Sequence, residues 1–278
     1  MIRRRSAVGF SLLCALVLCA FAASSANALR GTTAYVCKAE AAPTELTNGF
    51  EDEHCIKAVS GAGVKRVHEE IKAGVKTELA VTNNETEKKV VNSKFKATVG
   101  GMEVLLEAKN FVSCAATNVE NKENGAKQME AAGEFCGEFT GVEVTKPLKC
   151  EVKAKAIALN EKAQAKTVVK EPKANEHEMY VEFTPPAGKP FTTITLEGAE
   201  CPLKGMKAEV TGSAKAMVTT EEGCSIREGP TLKFLTGITG MTLKVGALPA
   251  MFEGTFTARK APEKEKEGDP VVLTTTNS

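Results

Sequence analysis

The stretch MKAEVTGSAKAMV, residues 206–218, alternates between two kinds of side chain over its whole length. One set is small or apolar: Met206, Ala208, Val210, Gly212, Ala214, Ala216 and Val218. The other set is polar: Lys207, Glu209, Thr211, Ser213 and Lys215. A period of two residues predicts a half-buried strand, because successive side chains of a strand point to opposite faces. Gly212 predicts a kink, so the stretch is either one bent strand or a pair of strands.

The same alternation recurs along the chain. CEVKAKAIAL (150–159) repeats it, and HEMYVEF (177–183) places His177, Met179, Val181 and Phe183 on one side. Further strands are predicted at 75–82, 94–99, 102–109, 191–197, 231–236, 241–245, 252–258 and 271–276. These segments are short, carry Thr or Val, and end at Gly, Pro or Asn. The sequence therefore predicts an all-β, antiparallel, sandwich-like architecture with one solvated sheet face.

Three segments depart from this pattern. Residues 64–75, VKRVHEEIKAGV, fit a helix as well as a strand. Residues 116–134 and 160–176 are polar, which predicts long loops. We expect residues 29–278 to form a single all-β unit, with 160–176 as the one possible seam within it.

The first residues have the pattern of a secretory signal peptide. Arg3, Arg4 and Arg5 precede an apolar run at 7–23, and Ala26-Asn27-Ala28 supplies a small-x-small cleavage site. A transmembrane anchor is the alternative, because the 17-residue run nearly reaches the roughly 20 residues that span a bilayer, but the small, polar residues after it are the wrong flank. We expect cleavage after residue 28, no membrane span in the mature chain, and a secreted or cell-envelope location.

Composition limits the classes of function. The chain has 36 basic and 35 acidic residues, whereas a nucleic-acid partner favours a concentrated basic face, so no nucleic acid is expected. It has no Trp and only two Tyr, so it offers few aromatic faces on which sugars or bases could stack. No nucleophile elbow, zinc-protease, phosphate-loop or dinucleotide motif occurs. No catalytic residue, cofactor site or metal site is therefore predicted.

Cysteine usage indicates disulfides. Of nine cysteines, Cys14 and Cys19 lie in the predicted signal peptide. The remaining ones are Cys37, Cys55, Cys114, Cys136, Cys150, Cys201 and Cys224. No CxxC pair occurs, and spaced cysteines in an exported chain favour disulfides over zinc binding or redox catalysis. Their number is odd, so at least one is free, intermolecular or otherwise occupied.

The three histidines were considered as metal ligands or general bases. EDEHC (51–55) could hold a metal through His54 and Cys55 with carboxylate help, but consecutive residues of an extended chain point apart, which favours an acidic turn beside a disulfide. His68 and His177 have acidic neighbours but no nucleophile at a spacing that would make either one a general base.

Cys224 is the strongest candidate nucleophile. It lies in EEGCSIREG (221–229), where Glu221 and Glu222 disfavour a thiolate and Arg227 favours one. The alternative is an unpaired or intermolecular cysteine on a loop.

Five segments together resemble a group of uncharacterised exported, cysteine-containing β-rich proteins that occur in many copies in certain actinobacteria. They are GTTAYVCKAE (31–40), DEHCIKA (52–58), AGVKTELAVTN (73–83), PFTTITLEGAEC (190–201) and DPVVLTTT (269–276). The resemblance spans the mature chain and carries no activity, so it implies no catalytic residues.

The resemblance also implies a set of disulfides. Cysteines of the group tend to occupy positions like those of Cys37, Cys55, Cys114, Cys136, Cys150 and Cys201, and Cys224 is the extra one. The implied pairs are Cys37 with Cys55, Cys136 with Cys150, and Cys114 with Cys201.

These observations predict an exported, non-enzymatic protein, a binding or structural module that acts through loops and sheet edges. Its partner is unknown, and a cell-wall or extracellular protein is one class. A secreted hydrolase and a metal-binding protein are the alternatives.

Overall fold

A computed structural model describes most of the chain after the predicted signal peptide. It covers residues 31–39, 49–52, 55, 57–59, 65–83, 85–86, 89–90, 92–123, 129–173, 176–219, 231–235, 238, 240–262 and 268–276. The predicted signal peptide (1–28), His54 and Cys224 lie outside the described residues.

The described residues form strands and short connections, with a 3-10 turn at Lys153–Lys155 and no α-helix. The first strands in chain order are β1 Gly31–Ala39, β2 Gly49–Phe50, β3 Ala58–Val59, β4 Arg66–Glu70, β5 Thr77–Asn83, β6 Glu85–Thr86, β7 Lys89–Val90, β8 Ser93–Val99 and β9 Met102–Ala108. They are followed by β10 Asn110–Ser113, β11 Asn118–Glu123, β12 Met129–Phe135, β13 Gly137–Thr140, β14 Glu143–Lys146, β15 Glu151–Val152, β16 Ala156–Ala158, β17 Ala163–Lys173 and β18 Glu176–Thr184. The remaining strands are β19 Thr192–Glu197, β20 Lys207–Thr211, β21 Ala214–Thr219, β22 Thr231–Phe234, β23 Lys244–Val245, β24 Leu248–Pro249, β25 Met251–Lys260 and β26 Val271–Thr276.

The central feature is a closed, barrel-like sheet of eight antiparallel strands, which we call the ring. Its order is β25-β22-β21-β18-β17-β12-β11-β5, and β5 pairs with β25 to close it. The closing pair places Val81 opposite Ala258. Strands β8, β9 and β14 extend the sheet outward from β25, and β10, β13 and β16 extend it from β5. The all-β, antiparallel prediction is confirmed, but a sandwich is not, because the main sheet closes on itself.

Two five-stranded sheets adjoin the ring. The first, in the order β26-β1-β4-β2-β3, joins the N-terminal and C-terminal strands, with Ala34 opposite Leu273. The second has the order β15-β19-β20-β23-β24. One continuous apolar core includes buried residues of the ring and of both sheets. A two-stranded hairpin, β6–β7, stands beside these sheets.

The opening stretch of the sequence forms two strands in different sheets. Gly212, with φ of +89°, separates β20 from β21, which confirms the strand-pair alternative. Buried side chains follow the predicted face at Ala208, Val210 and Ala216. Lys215 is an exception, because only 8% of it is exposed although it falls on the predicted solvated face. Its ammonium lies 3.6 Å from the carboxylate of Glu182, its partner on β18, so the charge is compensated.

Both predictions of a long polar loop are wrong. Residues 116–134 contain β11 and β12, and 160–176 contain β17, all within the ring. Their buried polar groups have hydrogen-bond partners: Asn121, which is fully buried, bonds to the backbones of Ala34 and Ile71. A polar residue with such partners is compatible with a buried strand, and hydrophobic alternation does not reveal it. The helix-or-strand ambiguity at 64–75 is resolved in favour of a strand, β4. The prediction of one unit spanning 29–278 stays a prediction.

Candidate binding site

An apolar cavity of about 110 Å³ lies between one end of the ring and the second five-stranded sheet. Ring strands contribute Phe135, Phe183, Ala214, Phe234, Phe252 and Phe256 to its wall. The strands beside the ring and their connections contribute Ser93, Lys94, Phe95, Leu106, Ala108, Phe139, Val142, Ile157, Leu159, Phe191, Thr192, Ile194, Val210 and Leu243. We call this space the phenylalanine cavity, because eight of the chain's 12 phenylalanines line it.

The rings around this cavity pack mainly edge to face or tilted. Phe234 lies 5.1 Å from Phe252 and 5.6 Å from Phe256, measured between ring centroids, and both contacts are close to perpendicular. Phe139 meets Phe252 at 5.5 Å in the same manner. Such contacts stabilise a fixed arrangement of rings, so the cavity has a shaped wall. It can hold a small apolar molecule by dispersion and by exclusion of water.

A second cavity of about 70 Å³ lies deeper in the ring, toward β26. Seven of the eight ring strands line it, together with Val271 and Leu273 of β26. Most of its other lining side chains are small or β-branched: Val81, Thr117, Val119, Ala131, Ala132, Gly133, Ala165, Thr167, Val181 and Ala258. We call this space the inner cavity. It shares two wall residues, Phe135 and Phe183, with the phenylalanine cavity.

A third, more polar concavity of about 500 Å³ is lined mainly by two chain segments, residues 152–160 and 190–195. Residues 151–152 pair with 196–197, and the amide of Asn160 bonds to the carbonyl of Phe191 at 2.7 Å. Residues of both segments between these two points line the pocket. Ala154 and Lys155 adopt φ of +55° and +51°, a conformation that non-glycine residues rarely adopt. The pocket is wide and its wall mixes Thr, Asn, Glu and Lys with alanines, so no single chemistry is favoured there.

The predicted histidine candidates do not form a catalytic cluster among the described residues. His68 lies between Tyr35 and Phe50, with ring centroids at 4.9 Å and 4.4 Å. Burial lowers its pKa, and a hydrogen bond to the backbone of Cys55 opposes that shift in part. Its Nε2 is buried with no hydrogen-bond partner in the described part of the chain. Side-chain placement of His177 lies outside the described residues.

The EDEHC segment forms a turn beside a disulfide as far as it is described. Asp52 accepts a hydrogen bond from the amide of Lys57, and Cys55 is bonded to Cys37. A disulfide sulfur carries no thiolate for a metal. Within the described ranges, no group of three His, Cys, Asp or Glu side chains could hold a metal ion.

Six cysteines form three disulfides. The Cys37–Cys55 pair predicted from the resemblance is confirmed. The other two predicted pairs are wrong, because the bonds are Cys114–Cys136 and Cys150–Cys201. Cys201, for which the sequence favoured a disulfide, is bonded to Cys150.

Strand pairing explains both corrected bonds. Ser113 of β10 lies opposite Gly137 of β13, which brings the adjacent Cys114 and Cys136 together at the end of that ladder. Likewise Glu151 of β15 lies opposite Glu197 of β19, so Cys150 comes close to the turn that carries Cys201. Cys136 and Cys150 are not joined across a hairpin, because β13 pairs with β16 and β14 pairs with β9.

Sequence reasoning did not identify either apolar cavity. Alternation in HEMYVEF placed Met179, Val181 and Phe183 inward, and all three are buried. A void depends on how inward residues from distant strands meet, and a period of two carries no such information. The one signal for such a cavity in the sequence is the concentration of Phe at inward-facing positions.

Comparison of the chain with protein-family models, with curated proteins and with solved structures finds no match. Among the described residues, no helix is both long and apolar enough to span a membrane.

Proposed function

We propose that the protein is an exported, non-enzymatic binding protein that holds a small apolar molecule in the phenylalanine cavity. The observation that carries this proposal is the cavity itself, about 110 Å³ of space with an almost wholly apolar wall. Apolar cavities of comparable size, about 150 Å³, stay dry and bind benzene. A well-packed interior leaves few voids larger than a water molecule, so this space is a departure that calls for an explanation.

Three disulfides support the exported location, because such bonds persist in oxidising compartments. The pattern at residues 1–28 and the resemblance to exported actinobacterial proteins support the same location, secreted or in the cell envelope. A role for loops and sheet edges toward a cell-wall or extracellular partner stays a prediction, and the interior site is compatible with it.

Benzene is the probe that tests the proposal. A benzene titration followed by thermal unfolding should raise the Tm in a saturable way. A free benzene concentration of ten times Kd should stabilise the folded protein by about 1.4 kcal/mol, which raises the Tm by about 3–6 °C for a chain of this size. Ala214→Leu, which fills the cavity, should abolish the shift, whereas Ala158→Leu, at the exposed edge of the polar pocket, should retain it. The proposal is wrong if wild-type protein shows no saturable shift, or if Ala158→Leu removes it and Ala214→Leu does not.

A further inference from the structure

Two phenylalanines belong to the walls of both apolar cavities and form part of the partition between them. Phe135 of β12 and Phe183 of β18 line both spaces, and their rings meet edge to face with centroids 5.0 Å apart. Two side chains with rotatable bonds therefore lie between the spaces.

The two cavities differ in the shape of ligand that they fit. Aromatic rings surround the phenylalanine cavity, which suits a flat or bulky apolar group. Alanine and valine supply eight of the 18 residues in the wall of the inner cavity, whose volume is about 70 Å³. A space of this kind accommodates a thin alkyl chain better than a second ring.

Strand β26 covers the far end of the inner cavity. Val271 and Leu273 of β26 line it there, and β1, the strand beside β26, is attached to the ring by buried hydrogen bonds. Thr32 of β1 shares a hydrogen bond with Thr167 of β17 and accepts one from the amide of Ala131 at 3.2 Å. A ligand that extends from the phenylalanine cavity into the inner cavity therefore passes Phe135 and Phe183.

We propose that both cavities form one elongated site for an apolar molecule with an unbranched alkyl chain. The bulky end occupies the phenylalanine cavity, and the chain displaces the Phe135–Phe183 contact and extends into the inner cavity. This inference rests on the proposed function and names the class of ligand for it, an n-alkyl-substituted apolar compound.

A series of n-alkylbenzenes on the wild-type protein tests this inference. Benzene, ethylbenzene, n-butylbenzene and n-hexylbenzene are titrated by ligand-observed NMR or thermal shift. Each methylene buried in the inner cavity should tighten binding about fourfold, up to the length at which the cavity is filled. Nuclear Overhauser contacts should join the terminal methyl of the bound alkyl chain to the methyl groups of Ala131 and Ala258.

Two variants separate the inner cavity from the outer one. Ala258→Leu fills the inner cavity, so benzene should bind as in the wild type while the gain with chain length disappears. Phe183→Leu thins the partition, so the longer members should gain affinity relative to benzene. The wild-type series alone decides the matter if either variant fails to fold.

The outcomes distinguish this inference from the proposed function. If benzene binds and the longer compounds bind no more tightly, the phenylalanine cavity is a site but the elongated site is refuted. Tight binding of the longer compounds with contacts to Ala158 in place of Ala131 would refute it as well, because the chain would then lie in the polar pocket. Absence of binding by the whole series overturns both proposals.

Discussion

The side-chain amide of Asn121 pairs with both backbone polar groups of Ala34. Its Oδ1 accepts from the amide of Ala34 at 2.8 Å, and its Nδ2 donates to the carbonyl of Ala34 at 3.0 Å and to that of Ile71 at 2.7 Å. Asn121 belongs to ring strand β11, whereas Ala34 belongs to β1 of the first five-stranded sheet. Both residues are fully buried. One side chain therefore connects two sheets by completing backbone hydrogen bonds in the buried interior.

Asn121→Ala should lower the free energy of unfolding by about 2–4 kcal/mol, because the amide of Ala34 and the carbonyl of Ile71 lose a buried partner. Urea unfolding of the variant measures the change. Asn110→Ala, at the exposed first residue of β10, is the matched control and should stay within about 0.5 kcal/mol of the wild-type free energy of unfolding. Equal effects of the two substitutions would mean that the amide of Asn121 has no special part in joining the sheets.

Two alanines on one face of β21 differ in whether they border the phenylalanine cavity. Ala214 lines it and Ala216 does not, although both are buried. Ala214→Leu should therefore be tolerated, with a change in Tm of at most a few degrees, because the added atoms enter empty space. Ala216→Leu should cost about 1–3 kcal/mol through overpacking. Thermal unfolding of both variants checks the contrast, and similar losses would argue that the cavity is closed in solution.

Disulfides that close loops of different length should contribute different amounts to the free energy of unfolding. Cys37–Cys55 spans a separation of 18 residues and Cys150–Cys201 one of 51. In the chain-entropy account, replacing both cysteines of a pair by Ser should cost about 3 kcal/mol for the shorter loop and about 4 kcal/mol for the longer one. Peptide mapping without reduction should find the linked pairs Cys114–Cys136 and Cys150–Cys201. A peptide linking Cys136 to Cys150 would contradict the fold at β13 to β15.

Gly212 should not tolerate a side chain. Its φ is +89°, and a Cβ would lie 2.0 Å from the carbonyl oxygen of Thr242. Gly188 has φ of +70° but open space around it, so Gly188→Ala isolates backbone strain, about 1–2 kcal/mol. Gly212→Ala should cost about 3 kcal/mol or more, because the clash adds to the strain. Chemical unfolding of the two variants separates these contributions, and equal losses would show that the close approach to Thr242 relaxes freely.

Local alternation predicted strands such as β18, β20 and β21, but the strand predicted at 150–159 is interrupted by the 3-10 turn Lys153–Lys155. Gly212 predicted a kink without deciding between one bent strand and the pair β20 and β21 that forms. Ring closure was not predictable in this way. Val81 and Ala258, which face each other in the closing pair, lie at distant positions in the chain, and nothing local specifies their register. Strands β11 and β12 were missed for another reason: buried polar residues such as Asn121 satisfy backbone groups of other strands, so their burial is visible only in the assembled fold.

The phenylalanine cavity shows the same limit at the candidate site. Phe183 was correctly predicted to face inward, but its contact with Phe135 depends on the pairing of β17 with both β12 and β18. Two of the disulfide pairs implied by the resemblance were wrong for an equivalent reason, because the partners of Cys136 and Cys150 depend on the pairing of β10 with β13 and of β15 with β19.

His68 predicts a loss of stability on mild acidification. Burial between Tyr35 and Phe50 lowers its pKa in the folded protein, while the unfolded chain titrates near the ordinary value of about 6.5. The unfolded state therefore binds a proton first as the pH falls. Consequently the free energy of unfolding is unaffected by His68 above about pH 6.5 and decreases as the pH falls from there to the lowered pKa of the folded state.

His68→Phe preserves an aromatic ring between Tyr35 and Phe50 but removes the titrating group. Unfolding midpoints in urea between pH 5 and 8 should fall less steeply with acid in this variant than in wild type. His54 and His177 are present in both proteins, so their contributions cancel in the difference. If the midpoints of both proteins fall equally with acid, the imidazole of His68 is solvated or is protonated at no cost in folding free energy. Its ring contacts beside the Cys37–Cys55 disulfide would then not exclude the charged form.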